Sequence, residues 1–151
     1  MPMRLSAHLL MLSAVVATPL LLAPLLPVQT SALQAPGISL DYQFFKDRVQ
    51  PVFLKKRPGN ARCIVCHNRG AATYLQPLAP GSTTWDEDQS RKNFEAVKRY
   101  VVPGNPLKSK LLMHPLAEEA GGDDFHGGGH HWKSQDDPEW QTMAAWVRGQ
   151  K

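Results

Sequence analysis

The segment with the clearest chemical potential is a pair of cysteines followed directly by a histidine, Cys63-Ile64-Val65-Cys66-His67. This C-x-x-C-H pattern is the attachment signature of c-type haem. Two thiols three residues apart face the same side of a helical turn, so both can add to vinyl groups along one porphyrin edge. The adjacent histidine can then place an imidazole nitrogen on the iron. We therefore predict one covalently bound haem c, with thioethers at Cys63 and Cys66 and with His67 as the proximal iron ligand.

Three other uses of the two cysteines are weaker. A thiol–disulfide oxidoreductase places C-x-x-C at the start of a helix that follows a strand, and no strand pattern precedes Cys63. A zinc site would need His126 and His130 as partners, but they lie very far along the chain from the cysteines for a zinc module. A plain Cys63–Cys66 disulfide in a non-haem subunit of an envelope complex is the third alternative. The histidine directly after the second cysteine favours haem over all three.

The N-terminal segment has the composition of an export signal. Residues 1–32 contain one basic residue, Arg4, then a long apolar run, and they end in the small residues Thr30-Ser31-Ala32. This order is typical of a secretory signal peptide that is cleaved after Ala32. The alternative is an uncleaved membrane anchor, which needs about 20 apolar residues. Both interpretations place the rest of the chain outside the cytoplasm, in the periplasm or elsewhere in the cell envelope, with a linker over 33–40 and one domain over 41–151.

The ends of the predicted domain are both helical. Ser39 is expected to cap a first helix, whose buried face at i, i+3 and i+7 is formed by Tyr42, Phe45 and Val49. Asp137 is expected to cap the last helix, with Pro138 at its first position. The buried face of that helix is formed by Trp140, Met143, Ala144 and Val147.

The middle of the domain combines shorter helices with loops. Thr84, followed three residues later by Glu87, is a capping-box signature for a helix over 86–101. A short helix is expected over 107–113, and the glycine-rich segment 120–130 is expected to be a loop. No segment shows sustained strand alternation, so the predicted fold class is all-α.

These pieces, taken in order, resemble a class I-type cytochrome c domain, and within that group the planctomycete- and acidobacteria-type cytochrome c domains. The resemblance covers residues 41–149. Besides the attachment motif, it is carried by VQPVF at 49–53, VPGNP at 102–106, SKLL at 109–112, HGGG at 126–129, and a last helix with Trp140 and Trp146. It implies a cytochrome c-like fold, in which the N- and C-terminal helices pack together and one haem lies in a pocket between long loops.

The resemblance also implies a second axial ligand. Class I-type domains usually place a methionine on a loop between the attachment motif and the final helix. The matching place here holds Phe125-His126-Gly127-Gly128-Gly129, so His126 is the distal candidate. His114 and Met113 are the alternatives, and an open or water-ligated iron is the last. Two imidazoles would give a lower reduction potential than a histidine–methionine pair.

The surroundings of the motif suggest how a partner would dock. The basic side chains expected to form a rim for an acidic redox partner are Lys55, Lys56, Arg57, Arg62 and Arg69. His130 and His131 are expected to face solvent, and Met143 to pack in the core. Tryptophans are expected in buried packing, with one of them able to donate to a haem propionate.

The predicted function is that of an exported mono-haem c-type cytochrome, a one-electron carrier in a periplasmic or envelope redox chain and not an enzyme. The alternative is a haem enzyme or a gas or peroxide sensor with an open distal iron site. The chain has a formal net charge of +4, and its basic residues are scattered. Nucleic-acid binding usually needs a clustered basic patch, so this charge pattern does not indicate it. The expected partner is therefore a redox protein, with membrane contact only if the N-terminal segment is uncleaved.

Overall fold

Short helices joined by loops make up the described part of the chain. The computed structural model describes residues 37–70 and 74–151. Its α-helices are α1 (Tyr42–Phe44), α2 (Cys63–His67), α3 (Glu87–Lys98), α4 (Lys110–Met113) and α5 (Pro138–Val147). A π-helix covers Phe45–Val49, and 3-10 helices cover Gln50–Leu54, Pro106–Lys108 and Glu118–Ala120. These described residues form no sheet and only two isolated β-bridges. The prediction of a mostly helical chain is confirmed.

The first helical segment starts two residues later than the sequence suggested. Asp41, not Ser39, caps α1, because its carboxylate accepts a hydrogen bond from the backbone N–H of Phe44 at 2.6 Å. The segment then continues as the π-helix and the 3-10 helix. Pro51 stands at the start of that 3-10 helix, and a proline supplies no backbone N–H for a helical hydrogen bond. Phe45 and Val49 are fully buried, as predicted, whereas Tyr42 is only half-buried and its hydroxyl donates to the Glu87 carboxylate at 3.0 Å.

The last helix closes the core against the first segment. The Phe45 and Trp146 rings lie 5.2 Å apart, and the Trp146 indole N–H donates to the backbone carbonyl of Asp41 at 2.8 Å. Helix α5 begins as predicted, with the Asp137 carboxylate accepting from two backbone N–H groups of its first turn and with Pro138 at its start. The predicted buried face is also confirmed, since it is nearly inaccessible at Trp140, Met143, Ala144 and Val147.

Helix α3 forms the third wall of the core. Its Phe94 ring lies 5.4 Å from Phe45. The predicted cap at Thr84 is wrong by two residues, because Asp86 and Gln89 form the reciprocal capping box. Trp85 is buried between the two candidate caps, and its indole N–H donates to the carbonyl of Gln76 at 2.7 Å. This tertiary contact holds the preceding residues outside the helix.

Two other predicted boundaries are changed. The expected short helix over 107–113 is divided at Ser109, whose buried hydroxyl donates to the carbonyl of Asn105 at 2.8 Å. The expected loop over 120–130 begins one residue inside the 3-10 helix Glu118–Ala120. The predicted export signal, 1–32, and the first part of the predicted linker lie outside the described residues.

Candidate haem-binding site

The attachment motif forms a helix of its own. Helix α2 contains all five motif residues, and buried Ile64 fixes it to the core. Cys63 is half-buried while Cys66 is exposed, and no disulfide joins them. Burial raises the pKa of the Cys63 thiol. The helix therefore presents one thiol inward and one at the molecular surface, which suits attachment along the edge of a flat group that is only partly enclosed.

The segment after the motif contacts His67 through its backbone and through one aromatic ring. The His67 carbonyl accepts hydrogen bonds from the backbone N–H groups of Tyr74 and Leu75, at 2.9 and 2.8 Å. The Tyr74 ring lies 4.3 Å from the His67 ring. Burial raises the pKa of Tyr74 well above its ordinary value, so the phenol stays neutral beside the imidazole. The sequence analysis did not single out Tyr74.

His126 faces His67 across a gap. The two imidazole rings are 6.3 Å apart between centres, with only 15° between their planes. Imidazoles on opposite sides of one metal ion have bonded nitrogens ~4 Å apart, twice a metal–nitrogen bond of about 2 Å, and ring centres about 2 Å further apart. The observed separation therefore leaves room for one metal ion between the two rings.

The tautomer of His126 is set by its own loop. Its Nδ1 lies 2.7 Å from the carbonyl of Gly129. A carbonyl only accepts, so Nδ1 carries the proton and the lone pair is on Nε2. Burial lowers the pKa of His126, against the opposing effect of this hydrogen bond. A neutral imidazole with its other nitrogen hydrogen-bonded to a carbonyl is the usual form of a metal-bound histidine.

A cavity of about 250 Å³ lies between the two imidazoles. Its walls are mostly apolar or aromatic and are formed by Phe53, Cys63, His67, Tyr74, Tyr100, Lys110, Leu111, His114, Pro115, His126, Trp132 and Met143. A second cavity of about 280 Å³ is also lined by Cys63, His67, His114 and His126, and it reaches Cys66. Both cysteines and both facing histidines thus line adjoining space. Met143 is buried as predicted, but it also lines the first cavity.

The donor set around this space fits haem. Two thiols lie on one helix, two near-parallel imidazoles that would bind the iron line the same cavity, and the remaining walls are mostly apolar or aromatic. The indole Nε1 of Trp132 and the Nδ1 of His131 are buried without a hydrogen-bond partner among the described residues. Buried polar atoms of this kind usually have a partner, and the acidic groups of a porphyrin could supply one.

The alternative distal ligands are placed less well. His114 lines the cavity, and its Nδ1, 2.6 Å from an Asp123 carboxylate oxygen, leaves Nε2 able to bind a metal, but its ring lies edge-on to that of His126 at 4.8 Å instead of parallel to that of His67. Met113 does not line either of these two cavities, and its methyl end lies beside Gly121. Of the two histidine candidates, only His126 has a ring nearly parallel to that of His67.

The zinc alternative gains no support. Among residues 37–70 and 74–151, no three or more His, Cys, Asp or Glu side chains are grouped so that they could hold a metal ion. His126 and His130 each direct a ring nitrogen at a backbone carbonyl, those of Gly129 and Asp123. Haem requires only one or two axial side chains, because the porphyrin supplies the other iron ligands.

The prediction that His131 faces solvent is wrong. Its side chain is only 9% exposed, because its backbone N–H donates to the carbonyl of Pro115 at 2.7 Å and draws it inward beside Trp132. Burial, helped by the charge of Arg57, lowers the pKa of His131 to about 4. His130 is half-buried, with its Nε2 3.0 Å from the Asp123 carbonyl.

The predicted basic rim is also changed. Arg57 does not project into solvent: its guanidinium forms an ion pair with Glu139 of α5 and lies over the Trp132 ring. Lys55 contacts the other carboxylate oxygen of Glu139 at 2.5 Å. Arg57 and Lys55 therefore share the single negative charge of Glu139, so one positive charge of this pair is neutralised, and the Lys55 side chain is still 63% exposed. The three rim residues that stay exposed without an ion pair in the described structure are Lys56, Arg62 and Arg69.

No helix in the described ranges is long and apolar enough to span a membrane. Comparisons with protein-family models, with curated proteins and with solved structures found no match. The case for function therefore depends on the residues and their geometry.

Proposed function

We propose that the chain is an exported single-haem c-type cytochrome with a cytochrome c-like fold, and that it carries one electron at a time between redox proteins of the cell envelope. The observation that carries the proposal is the near-parallel pair of His67 and His126 imidazoles, 6.3 Å apart, beside the two cysteines of the attachment motif. When bound, haem would supply an iron that accepts one electron from a donor and passes it to an acceptor.

The protein's own groups would do the rest. Cys63 and Cys66 would hold the porphyrin by thioether bonds, which prevents loss of the group in an open extracellular setting. His67, backed by the Tyr74 ring, would provide one axial nitrogen, and His126, held by the Gly129 carbonyl, would provide the other. The apolar walls would exclude water, while the exposed position of Cys66 would leave one edge accessible to a partner.

The first experiment asks whether haem is attached. The full chain is expressed in a host that matures c-type cytochromes, and the mature product is examined by mass spectrometry and by haem staining of a denaturing gel. We expect the mass of one haem on the polypeptide and a stained band that disappears in the Cys63→Ser/Cys66→Ser variant. A colourless product with the mass of the bare polypeptide would refute the proposal.

The second experiment identifies the distal ligand from absorption spectra in both oxidation states. We expect a six-coordinate oxidised spectrum without the methionine–iron charge-transfer band. His126→Ala should open the iron to carbon monoxide in the reduced state, whereas Met113→Leu and His114→Ala should leave the coordination unchanged. Rapid carbon monoxide or peroxide binding by the unaltered protein would instead favour the open-site sensor or enzyme.

A further inference from the structure

One side chain joins the loop that carries His126 to the turn before the attachment motif. The Asn60 amide nitrogen donates to the backbone carbonyl of His130 at 3.0 Å and lies 3.4 Å from that of Gly128. Asn60 ends the turn that begins at Arg57 and lies three residues before Cys63. It therefore connects the distal side of the candidate site directly to the proximal side.

The two residues that flank this loop are anchored by backbone hydrogen bonds, from Asp123 to the Met113 carbonyl and from His131 to the Pro115 carbonyl. Within the described residues, the other hydrogen bonds of residues 124–130 stay inside the segment 123–130: the backbone N–H of Gly129 donates to the His126 carbonyl, and the His126 and His130 rings contact carbonyls of the same segment. Phe125 offers no apolar anchor, since its side chain is 72% exposed. Between its two anchored ends, the loop is therefore joined to the rest of the described structure by the hydrogen bonds of Asn60.

The contact between the amide and the loop is close. Gly129 has a φ of +80°, and a Cβ added there would lie 2.6 Å from the Asn60 amide nitrogen. Any other residue would push the loop and the amide apart, and it would also be strained by the left-handed backbone. The close approach of the Asn60 amide therefore depends on glycine at position 129.

We propose that Asn60 is a positioning residue for the distal ligand: it holds the loop 124–130 so that His126 faces His67, and its release opens the iron to added ligands. This inference rests on the proposed function, because it concerns the same site. It adds that access to the distal face is controlled from the proximal side, through one asparagine outside the attachment motif.

The test compares Asn60→Asp with a matched control, Asn105→Asp, in the haem-loaded protein. Aspartate keeps the size of the side chain and its preference for turns but removes the donor. The measurement is the rate of cyanide binding to the oxidised protein, which reports how often His126 leaves the iron. Two hydrogen bonds to the loop predict a rate about 10- to 100-fold faster for Asn60→Asp and an unchanged rate for Asn105→Asp.

Further measurements separate a positioning role from a merely structural one. Hydrogen exchange of the Gly129 amide should accelerate in Asn60→Asp, even if thermal stability falls no more than in Asn105→Asp. If Asn60→Asp does not fold, Gly129→Ala separates the same pair from the loop side and should give the same acceleration of cyanide binding.

The outcomes distinguish this inference from the proposed function. If haem is attached and His126→Ala alters coordination, but neither Asn60→Asp nor Gly129→Ala speeds cyanide binding, the positioning role is wrong while the cytochrome stands. If no haem is attached, or if His126→Ala leaves the spectrum unchanged, the axial pair itself is wrong and the positioning role is rejected with it.

Discussion

Replacing Glu139 by glutamine should destabilise the protein far more than removing a surface carboxylate. Arg57 Nε donates to a Glu139 carboxylate oxygen at 2.9 Å, and a second guanidinium nitrogen reaches the same oxygen. The two side chains are only 11% and 17% exposed. Glu139→Gln keeps the shape of the site but leaves the Arg57 charge without its partner, next to the wall of the candidate haem cavity.

The magnitude follows from this burial. Breaking a fully buried ion pair by removing one partner costs about 3–5 kcal/mol, because a charge is left uncompensated. Both side chains here keep some contact with water, so we expect a loss of about 2–3 kcal/mol in the free energy of unfolding. At about 4 °C per kcal/mol for a domain of this size, Tm should fall by ~8–12 °C.

The assay is thermal unfolding of the mature protein followed by far-ultraviolet circular dichroism. The control is Glu95→Gln, because Glu95 pairs with Lys98 on the exposed surface of α3, and such pairs contribute about 0–1 kcal/mol. The double variant Arg57→Met/Glu139→Gln should recover part of the loss, since it removes the uncompensated charge. Equal losses for Glu139→Gln and Glu95→Gln, or no recovery in the double variant, would show that the pair is not desolvated as argued.

Three further outcomes are expected from the same unfolding measurement. Burial alone would raise the pKa of Glu139, but hydrogen bonds from its basic partners hold that pKa below its ordinary value. The stability difference between the unaltered protein and Glu139→Gln should therefore be constant above about pH 5 and should shrink as the pH falls through the lowered pKa. A stability difference that grows in acid would contradict this assignment. Asp137→Ala removes the cap of α5 and should cost about 1 kcal/mol, whereas the exposed Asp136→Ala should change stability by less than about 0.5 kcal/mol; equal losses would argue against the cap. Trp146→Phe loses an indole hydrogen bond while Trp140→Phe loses none, so Trp146→Phe should cost about 1 kcal/mol more, and the reverse order would show that the Trp146–Asp41 hydrogen bond does not stabilise the fold.

Local signals predicted the last helix well because its determinants are adjacent in sequence. The cap at Asp137, the proline after it and the apolar spacing all act within three turns, and the structure confirms each of them. The cap of α3 shows where local signals are insufficient. Thr84 and Asp86 each precede a suitable residue by three positions, and the buried position of Trp85 decides between them. That position depends on Gln76, which no capping rule takes into account.

The sequence predicted those parts of the candidate site whose residues are adjacent in the chain. It did not predict the contacts that form between distant segments. The five-residue motif is recognisable as a candidate haem-attachment site from its spacing alone. The burial of His131 depends on a hydrogen bond to Pro115, and the internal ion pair of Arg57 depends on a residue 82 positions away. Asn60 was recognisable in the sequence only as a turn residue, because its second role needs the glycine loop beside it.

The clasp between the Asp41 carbonyl and the Trp146 indole joins residues 105 positions apart. A chain is made and exported from its N-terminus onward, so this contact cannot form until Trp146 has emerged, 79 residues after the end of the pentapeptide at 63–67. Contacts of such long range form late. Throughout that interval the pentapeptide at 63–67 stays on an open, unfinished chain. Under the proposed function, an assembly enzyme that joins porphyrin to thiols would meet both cysteines before tertiary structure could shield the inner one.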